Sequence, residues 1–225
     1  MTVDEIAAAV MEEGDGGAHR ALKELARDNA SAPLLLAQLA AYPDVDVRAW
    51  VSGTVRSMLP AAEAVPILLR LIRDRDADVR DTAISDLIAV DRTAAAAALV
   101  PMLRSRLRTD HEYPLFAAFH LADLRDHESL PAIRALADTA ARPYVRRYAS
   151  IAALLLEGRE DEILRRLRAC EQGSTYSLAV AALIIGTPEA RATVDECMTN
   201  APDEECRREC QRALANRRPM QIHTR

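Results

Sequence analysis

Two histidine–glutamate pairs are the residues of this chain whose types most directly suggest metal chemistry. They are His111-Glu112 and His127-Glu128, sixteen residues apart. Imidazole and carboxylate groups together suit iron. The two pairs precede different kinds of predicted helix, however, and their spacing does not bring four ligands around one ion. We therefore predict no metal and no catalytic residue at these positions.

Three cysteines further along the chain form a second candidate metal site. Cys206 and Cys210 are four residues apart and so share one helical face, with Cys197 and His223 nearby in sequence. Thiolate and imidazole ligands suit zinc. Alternatively these cysteines are buried, where a thiol acts as a small apolar side chain. Without a visible secretory signal, all four cysteines of the chain are expected to be reduced thiols.

A group of arginines in the second half of the chain offers the charge that a nucleic-acid backbone requires. The group comprises Arg146, Arg147, Arg165, Arg166 and Arg168. The whole chain, however, has a formal net charge of −5, whereas nucleic-acid binders usually have a basic excess. Nucleic acid is therefore the less favoured partner.

Other signatures of catalysis or of membrane insertion are missing from the sequence. It has no glycine-rich phosphate loop and no serine–histidine–aspartate arrangement, so no cofactor is predicted. No apolar run is long enough to span a bilayer, and the first residues lack the basic and apolar regions of a secretory signal. We expect a cytoplasmic protein; its oligomeric state stays open.

Composition indicates which elements position these side chains. Half of the residues are hydrophobic, aromatic residues make up 4%, and seven glycines are few for a sheet protein with many tight turns. Alanine, leucine, arginine and glutamate are abundant, and all four favour helices. We therefore predict an all-α fold.

A short motif recurs along the chain and divides it into repeats. Asp46-Val47-Arg48 returns as Asp78-Val79-Arg80 and, less closely, as Tyr144-Val145-Arg146 and Glu205-Cys206-Arg207. Small or apolar residues follow the central residue at four and eight positions, which places them on one helical face. Two degenerate copies fill the gaps. The registering positions are 47, 79, 113, 145, 173 and 206, a period of about thirty residues that accommodates two helices.

An amphipathic stretch precedes most of these repeat helices. The clearest are residues 61–73, 93–107, 130–140, 160–170 and 189–198. Asp46 and Asp78 are predicted as helix N-caps, and Gly158 and Gly186 as helix ends. Residues 3–13 and 18–29 are predicted as N-terminal capping helices, residues 1–216 as one domain, and residues 217–225 as a disordered tail.

The Asp-x-Asp-Val-Arg openings, the alanine that follows them and Pro66, Pro101 and Pro131 resemble HEAT repeats, in particular the short repeats of the phycobilisome-lyase type. The resemblance covers about residues 31–216. It implies a right-handed α-solenoid of about six helical pairs, in which the second helices line the concave side.

Three enzyme families with HEAT-like repeats provide alternatives. The two His-Glu pairs resemble those of deoxyhypusine hydroxylase, but that family needs four. Alkylpurine DNA glycosylases use a basic concave face with Trp and Asp, whereas Trp50 is the only tryptophan in this acidic chain. Bilin lyases share the repeat type, but no cysteine or acidic constellation here supports their chemistry. A DNA-binding or glycosylase-like protein is kept as the alternative function.

Residues at the same position in successive repeats form a column. Two of these columns lead to structural predictions. One residue after the registering position lies an arginine in four copies, Arg48, Arg80, Arg146 and Arg207. In HEAT proteins this arginine commonly pairs with an aspartate of a neighbouring turn, so we predict a ladder between repeats. Three residues after that position four copies are aromatic, and these rings either pack between helices or line a groove.

A third column predicts an apolar patch on the third and fourth repeats. Phe119 and Ile151 lie six residues after the registering position, where side chains should point away from the core. Contiguous exposed apolar surface marks an interaction site. A register slip of one residue would instead bury Phe119. We predict a non-catalytic scaffold whose protein or peptide partner contacts Trp50, Leu115, Phe116, Phe119, His120, Arg147, Tyr148, Ile151 and Tyr176.

Overall fold

The computed structural model describes residues 2–12, 15–27, 30–109 and 114–217. Within these residues the regular structure is helical and includes no strand, which confirms the predicted all-α fold. No described helix is long and apolar enough to cross a bilayer. The α-helices are α1 Val3–Met11, α2 Asp15–Arg27, α3 Ala32–Leu39, α4 Val45–Met58, α5 Ala61–Leu71, α6 Ala77–Val90, α7 Arg92–Thr109, α8 Pro114–Asp123, α9 Leu130–Thr139, α10 Pro143–Leu156, α11 Glu160–Arg168, α12 Thr175–Ile185, α13 Pro188–Asn200 and α14 Glu204–Arg217.

Aspartates begin the repeat helices, but two residues earlier than predicted. The Oδ1 atom of Asp44 accepts hydrogen bonds from the backbone N–H groups of Asp46 at 2.9 Å and Val47 at 3.2 Å, and Asp76 caps α6 in the same way. The prediction of Asp46 and Asp78 as caps was therefore wrong. Asp44 has the extended backbone that a cap requires, whereas Asp46 already lies in the first helical turn.

Several helices are followed by a residue with left-handed backbone. Gly158 and Gly186 are two of these residues, as predicted from the sequence. Gly158, just after α10, has a φ of 70°, and Gly186, with a φ of 73°, caps α12 by donating its N–H to the carbonyl of Ala182. Two other residues adopt this conformation without being glycine, Arg125 with a φ of 59° and Cys170 with a φ of 49°.

The arginines of the repeat motif bind the turn that precedes their own helix. Each donates from Nη1 to carbonyl oxygens five or six residues earlier. The acceptors are Tyr42 and Pro43 for Arg48, Asp74 and Arg75 for Arg80, Ala140 and Ala141 for Arg146, and Ala201 for Arg207. Of the four, Arg48 also pairs with an aspartate of the next turn, Asp74, so the predicted ladder is correct at this step. Among the described residues, the other three arginines make no such pair.

The described contacts form two compact units, Met1–Leu99 and Val100–Arg218. In the N-terminal unit, α4 packs on α3, α5 and α6, and α3 also packs on α5. In the C-terminal unit, α10 packs on α8, α9, α11 and α12, while α12 packs on α14 and α11 on α13. Helices that are two apart in the chain therefore lie side by side within each unit, as expected for a helical repeat.

The predicted core face of the repeat helices is buried. The registering residues Val47, Val79, Val145 and Cys206 expose at most 3% of their surface, and the residues four positions later, Val51, Ala83, Ala149 and Cys210, expose none. Leucine, isoleucine, valine and alanine fill both units. Most of the predicted tail, residues 218–225, lies outside the described residues.

Candidate partner-binding face

Four helices of the C-terminal unit position a group of aromatic and charged side chains. Helices α8, α10, α12 and α14 pack in that order, each against the next. They carry a group of side chains that we call the tyrosine face: Phe119, Arg147, Tyr148, Tyr176, Glu209 and Arg212. Ring contacts join Phe119 to Tyr148 and Arg212 to Tyr176, and the charges of the group act on the pKa of Tyr148. All six belong to the second helices of the predicted pairs.

The rings of Phe119 and Tyr148 join α8 to α10. Their centroids are 5.9 Å apart and their planes are inclined by 68°, the edge-to-face arrangement that aromatic rings prefer. Both side chains are half-buried. The Tyr148 hydroxyl makes no hydrogen bond to any residue in the described part of the chain. The ring is therefore held in place while its polar end stays available.

The surroundings of Tyr148 keep its hydroxyl protonated. Burial raises the pKa of Tyr148 above the ordinary value of 10.0, and the nearby Tyr176 and Glu209 raise it further. The charges of Arg212 and Arg147 act in the opposite direction and more weakly than burial. At neutral pH the hydroxyl is thus a neutral group that can donate to, or accept from, a partner.

Helix α14 contributes two charged side chains to the same face. The guanidinium carbon of Arg212 lies 4.9 Å from the centre of the Tyr176 ring, a cation–π contact. The carboxylate of Glu209 lies 3.7 Å from Arg212 Nη1, one helical turn earlier. Sequence reasoning passed over both charged residues because they are not aromatic. The available signal was their position, since they occupy the same two repeat columns as Tyr148 and Phe119.

The prediction that Ile151 faces water was wrong, because the structure leaves its side chain 0% exposed. Helices α8, α9, α11 and α12 surround α10, and all residues from 151 to 156 are buried. A helix that is apolar all round is buried all round. The unbroken run Ile151-Ala152-Ala153-Leu154-Leu155-Leu156 already carried that information.

The remaining predicted contacts of the C-terminal unit lie around the tyrosine face or outside the described side chains. Phe116 is 42% exposed on α8, and His120 is half-buried one turn further on. Arg147 is exposed and lies against the turn before α12, since a Cβ atom on Gly173 would come within 3.2 Å of its Nη2 atom. The side chain of Leu115 is outside the described part of the structure.

Trp50 belongs to the N-terminal unit, on α4. Its ring is half-buried, as the column predicted. Its indole N–H is buried and has no hydrogen-bond partner among the described residues. Trp50 is therefore not counted in the tyrosine face, whose residues all belong to the C-terminal unit.

Most of the arginines predicted as a possible nucleic-acid site bind groups of the chain itself. Arg166 donates to both carboxylate oxygens of Glu171 at 2.6 Å, and Arg168 donates to Glu189 at 3.1 Å. Arg165 lies 3.7 Å from Glu162. Arg146 binds backbone carbonyls, and Arg147 belongs to the tyrosine face. The positive charge is thus largely compensated locally.

The cysteines separate into one disulfide and two thiols. Cys170, after α11, is bonded to Cys206 in α14, with Cα atoms 5.8 Å apart. The expectation of four reduced thiols is wrong for this pair, because folding brings together two residues 36 positions apart. Cys197 and Cys210 are free and buried, and the Cys197 thiol donates a hydrogen bond to the carbonyl of Leu167 at 3.6 Å. Burial raises the pKa of both, that of Cys210 to about 12.

The candidate metal ligands have other roles or lie outside the described residues. Within the described ranges, no group of three or more His, Cys, Asp or Glu side chains is arranged to hold a metal ion. Glu128 is exposed and pairs with Arg104 at 2.8 Å. His111, Glu112 and His223 fall outside the described residues.

Comparison with known proteins gives likenesses among solved structures and none among families or curated proteins. No family model matches the chain, and no curated protein is significantly similar to it. Two crystal structures of engineered proteins from the Northeast Structural Genomics Consortium are each 19% identical to this chain. One alignment covers 95% of this chain and 67% of the other, with a TM-score of 0.43; the second covers 95% of both, with a TM-score of 0.41. The function must therefore be inferred from the chain's own residues.

Proposed function

We propose that this protein is a non-catalytic scaffold that binds a protein or peptide partner through the tyrosine face. In this proposal the chain is a HEAT-like, right-handed α-solenoid of about six helical pairs in the cytoplasm. The second helices, which carry the tyrosine face, would line its concave side, as the resemblance to HEAT repeats implies. Side-by-side packing of helices two apart in the chain supports this architecture.

The observation that carries the proposal is the hydroxyl of Tyr148, which lies beside the Phe119 ring without a hydrogen bond to any described residue. Tyrosine is enriched at interfaces because a rigid ring buries apolar area while its hydroxyl binds a polar group. Arg147 on α10 and Phe116 on α8, both exposed, add a charged and an apolar side chain to this region. The face suits a segment that presents an apolar side chain and a nearby carbonyl or carboxylate.

The alternative, DNA binding, gains no support from the described residues. A DNA site needs several arginines free to neutralise phosphates. Here Arg166 and Arg168 are paired with carboxylates, and the chain is acidic overall. We therefore retain the protein or peptide partner.

Site-specific photocrosslinking tests the proposal. A photoreactive amino acid replaces Arg147 on the tyrosine face and, as the matched control, Arg165 on α11, whose side chain is 70% exposed. In cell extract we expect a discrete crosslinked protein or peptide from position 147 and none from position 165. Adding Tyr148→Ala or Phe119→Ala should abolish the crosslink while circular dichroism shows an intact fold. A crosslink that survives both substitutions, or forms equally from both positions, would show that the partner binds elsewhere.

A further inference from the structure

The Cys170–Cys206 disulfide joins the chain before α12 to the chain after α13. Cys170 lies in the turn directly after α11, and Cys206 lies in the first turn of α14. The bond closes a loop that contains α12 and α13. It therefore connects the predicted fifth helical pair to the start of the last described helix.

We propose that this cysteine pair is a site of reversible oxidation, and that the bond clamps α14 against Tyr176 and Tyr148 of the tyrosine face. Reduction would release the start of α14 and uncover more of Tyr176 and Tyr148, which are half-buried in the oxidised protein. The oxidation site stands on its own geometry, whereas its consequence for partner binding rests on the proposed function.

The position of Cys206 on α14 connects the bond to the face. Glu209 and Arg212 follow Cys206 at three and six residues, within the next two helical turns. Arg212 lies on the Tyr176 ring, and Glu209 is close enough to Tyr148 to affect its ionisation. A covalent bond at Cys206 therefore fixes the helix end that carries both covering side chains.

The attachments of α14 other than the disulfide lie along one side. Its buried residues are Cys206, Cys210 and Ala213, which pack toward α12 and α13. Arg207 adds a hydrogen bond to the carbonyl of Ala201 in the preceding turn. Because α14 packs mainly on two helices and α10 on four, loss of the bond would shift α14 toward local opening more than it would affect α10.

The backbone at Cys170 has a conformation that glycine adopts more easily than cysteine. With a φ of 49°, Cys170 occupies the left-handed position of a helix end, and its N–H donates to the carbonyl of Leu167. Glycine takes this conformation without steric penalty, whereas other residues lose stability. The bond to Cys206 is the contact that a glycine could not provide.

The two other cysteines do not compete for the disulfide between Cys170 and Cys206. Cys197 and Cys210 are 4% and 0% exposed, and burial keeps both protonated. A protonated thiol does not attack a disulfide, so internal exchange is suppressed. Cys170 is half-buried and is therefore the sulfur that an external thiolate can reach, while Cys206 is 1% exposed.

The reaction is ordinary thiol–disulfide exchange with a small-molecule thiol of the glutathione class. A first thiolate forms a mixed disulfide with Cys170 and displaces the Cys206 thiolate, which takes up a proton. A second thiol molecule then releases Cys170 and leaves as the symmetrical disulfide, so two electrons and two protons pass to the protein. In the cytoplasm, where disulfides are usually transient or sensing, the pair would cycle between both states.

Hydrogen–deuterium exchange of the full chain, equilibrated with either oxidised glutathione or dithiothreitol, tests the clamp. Thiol titration of the denatured protein should give two free thiols in the first state and four in the second. Amides of residues 204–217 should exchange at least about tenfold faster in the reduced state, while those of α10 stay unchanged. Four free thiols in both states, or equal exchange of α14 in both, would overturn the proposal.

Variants separate loss of the bond from loss of the fold. Cys170→Gly keeps the left-handed turn and removes the bond, so its α14 should exchange rapidly whatever the redox state. Cys197→Ala removes a thiol that is not in the bond and should keep the redox response. In Cys170→Gly, N-acetylimidazole should acetylate Tyr176 and Tyr148 faster than in the oxidised wild-type protein. Equal acetylation of the two proteins would contradict the clamp.

Failure of the clamp and failure of the proposed function have different signatures. If the crosslink from position 147 forms equally in both redox states, the clamp is wrong and the partner-binding face stands. If α14 responds to reduction but position 147 crosslinks to nothing in either state, the oxidation site stands and the proposed function is wrong.

Discussion

Arg48 donates hydrogen bonds of 2.7 and 3.0 Å to the two carboxylate oxygens of Asp74, and the side chains expose only 5% and 8% of their surface. The same guanidinium also binds the carbonyls of Tyr42 and Pro43. One buried cation thus holds the turn after α3 to the turn after α5. A paired, fully hydrogen-bonded ion is tolerated in such a place, whereas an ion left alone is not.

Removing the carboxylate of Asp74 should therefore destabilise the protein strongly. We expect Asp74→Ala to lower the free energy of unfolding by about 3 kcal/mol, because Arg48 stays buried without its counter-charge. Chemical denaturation at neutral pH measures the loss. Asp78→Ala, at an exposed position on the neighbouring helix, is the matched control and should have a much smaller effect. Equal losses in the two variants would refute the importance of the pair.

The position of the helix cap can be tested by comparing two aspartates of one motif. Asp44→Ala removes a side chain that accepts two backbone hydrogen bonds, and we expect it to destabilise the protein by about 1 kcal/mol. Asp46→Ala removes a charge in the first turn and should have a clearly smaller effect. Thermal unfolding of both variants decides the matter; a larger loss in Asp46→Ala would mean that the cap lies where the sequence first suggested.

Local features of the fold could be predicted from the sequence because they depend on neighbours along the chain. The stretch 61–73 is observed as α5, Ala61–Leu71, and 160–170 as α11, Glu160–Arg168. Helical periodicity, prolines and glycines determine such bounds within a few residues. The half-buried position of Tyr148 follows from the same periodicity.

Features that depend on neighbours in space could not be predicted in this way. The periodicity of α10 assigns Ile151 an outward angle, but four surrounding helices bury it. The contact of Arg212 with Tyr176 requires α14 to lie beside α12, and the Cys170–Cys206 bond requires α11 to end beside α14. A sequence states the angle of a side chain around its helix, whereas its partners are determined by the packing of the helices.

Acid should weaken the protein through three carboxyl groups bound by arginines. Hydrogen bonds from arginine side chains are the largest cause that holds the pKa of Asp74 and Asp126 below 3.8 and that of Glu171 below 4.5. The donors are Arg48, Arg104 and Arg166. Because the unfolded chain takes up these protons more readily, their contribution is complete above the ordinary values and is lost as the pH falls through the lowered ones.

We therefore expect the free energy of unfolding to be nearly constant from neutral pH down to about pH 5 and to fall progressively below it. Urea denaturation at a series of pH values measures this. Asp74→Asn lacks one of the three groups, so it should start less stable at neutral pH and lose less on acidification. If the free energy of unfolding of Asp74→Asn falls as much as that of the wild-type protein between pH 6 and about pH 3, Asp74 does not contribute to the acid response.

Duplex DNA distinguishes the favoured function from its alternative. Arg166 and Arg168 could neutralise phosphates only by leaving Glu171 and Glu189, and the acidic chain repels the duplex as a whole. We expect fluorescence anisotropy to detect no binding of a labelled duplex at about 150 mM salt and only weak binding at about 50 mM. Glu171→Gln combined with Glu189→Gln frees both arginines and removes two negative charges, so this double variant should bind more tightly at low salt. Tight binding by the wild-type protein that weakens steeply with salt, and that Arg166→Ala reduces, would instead favour the DNA-binding function over the scaffold.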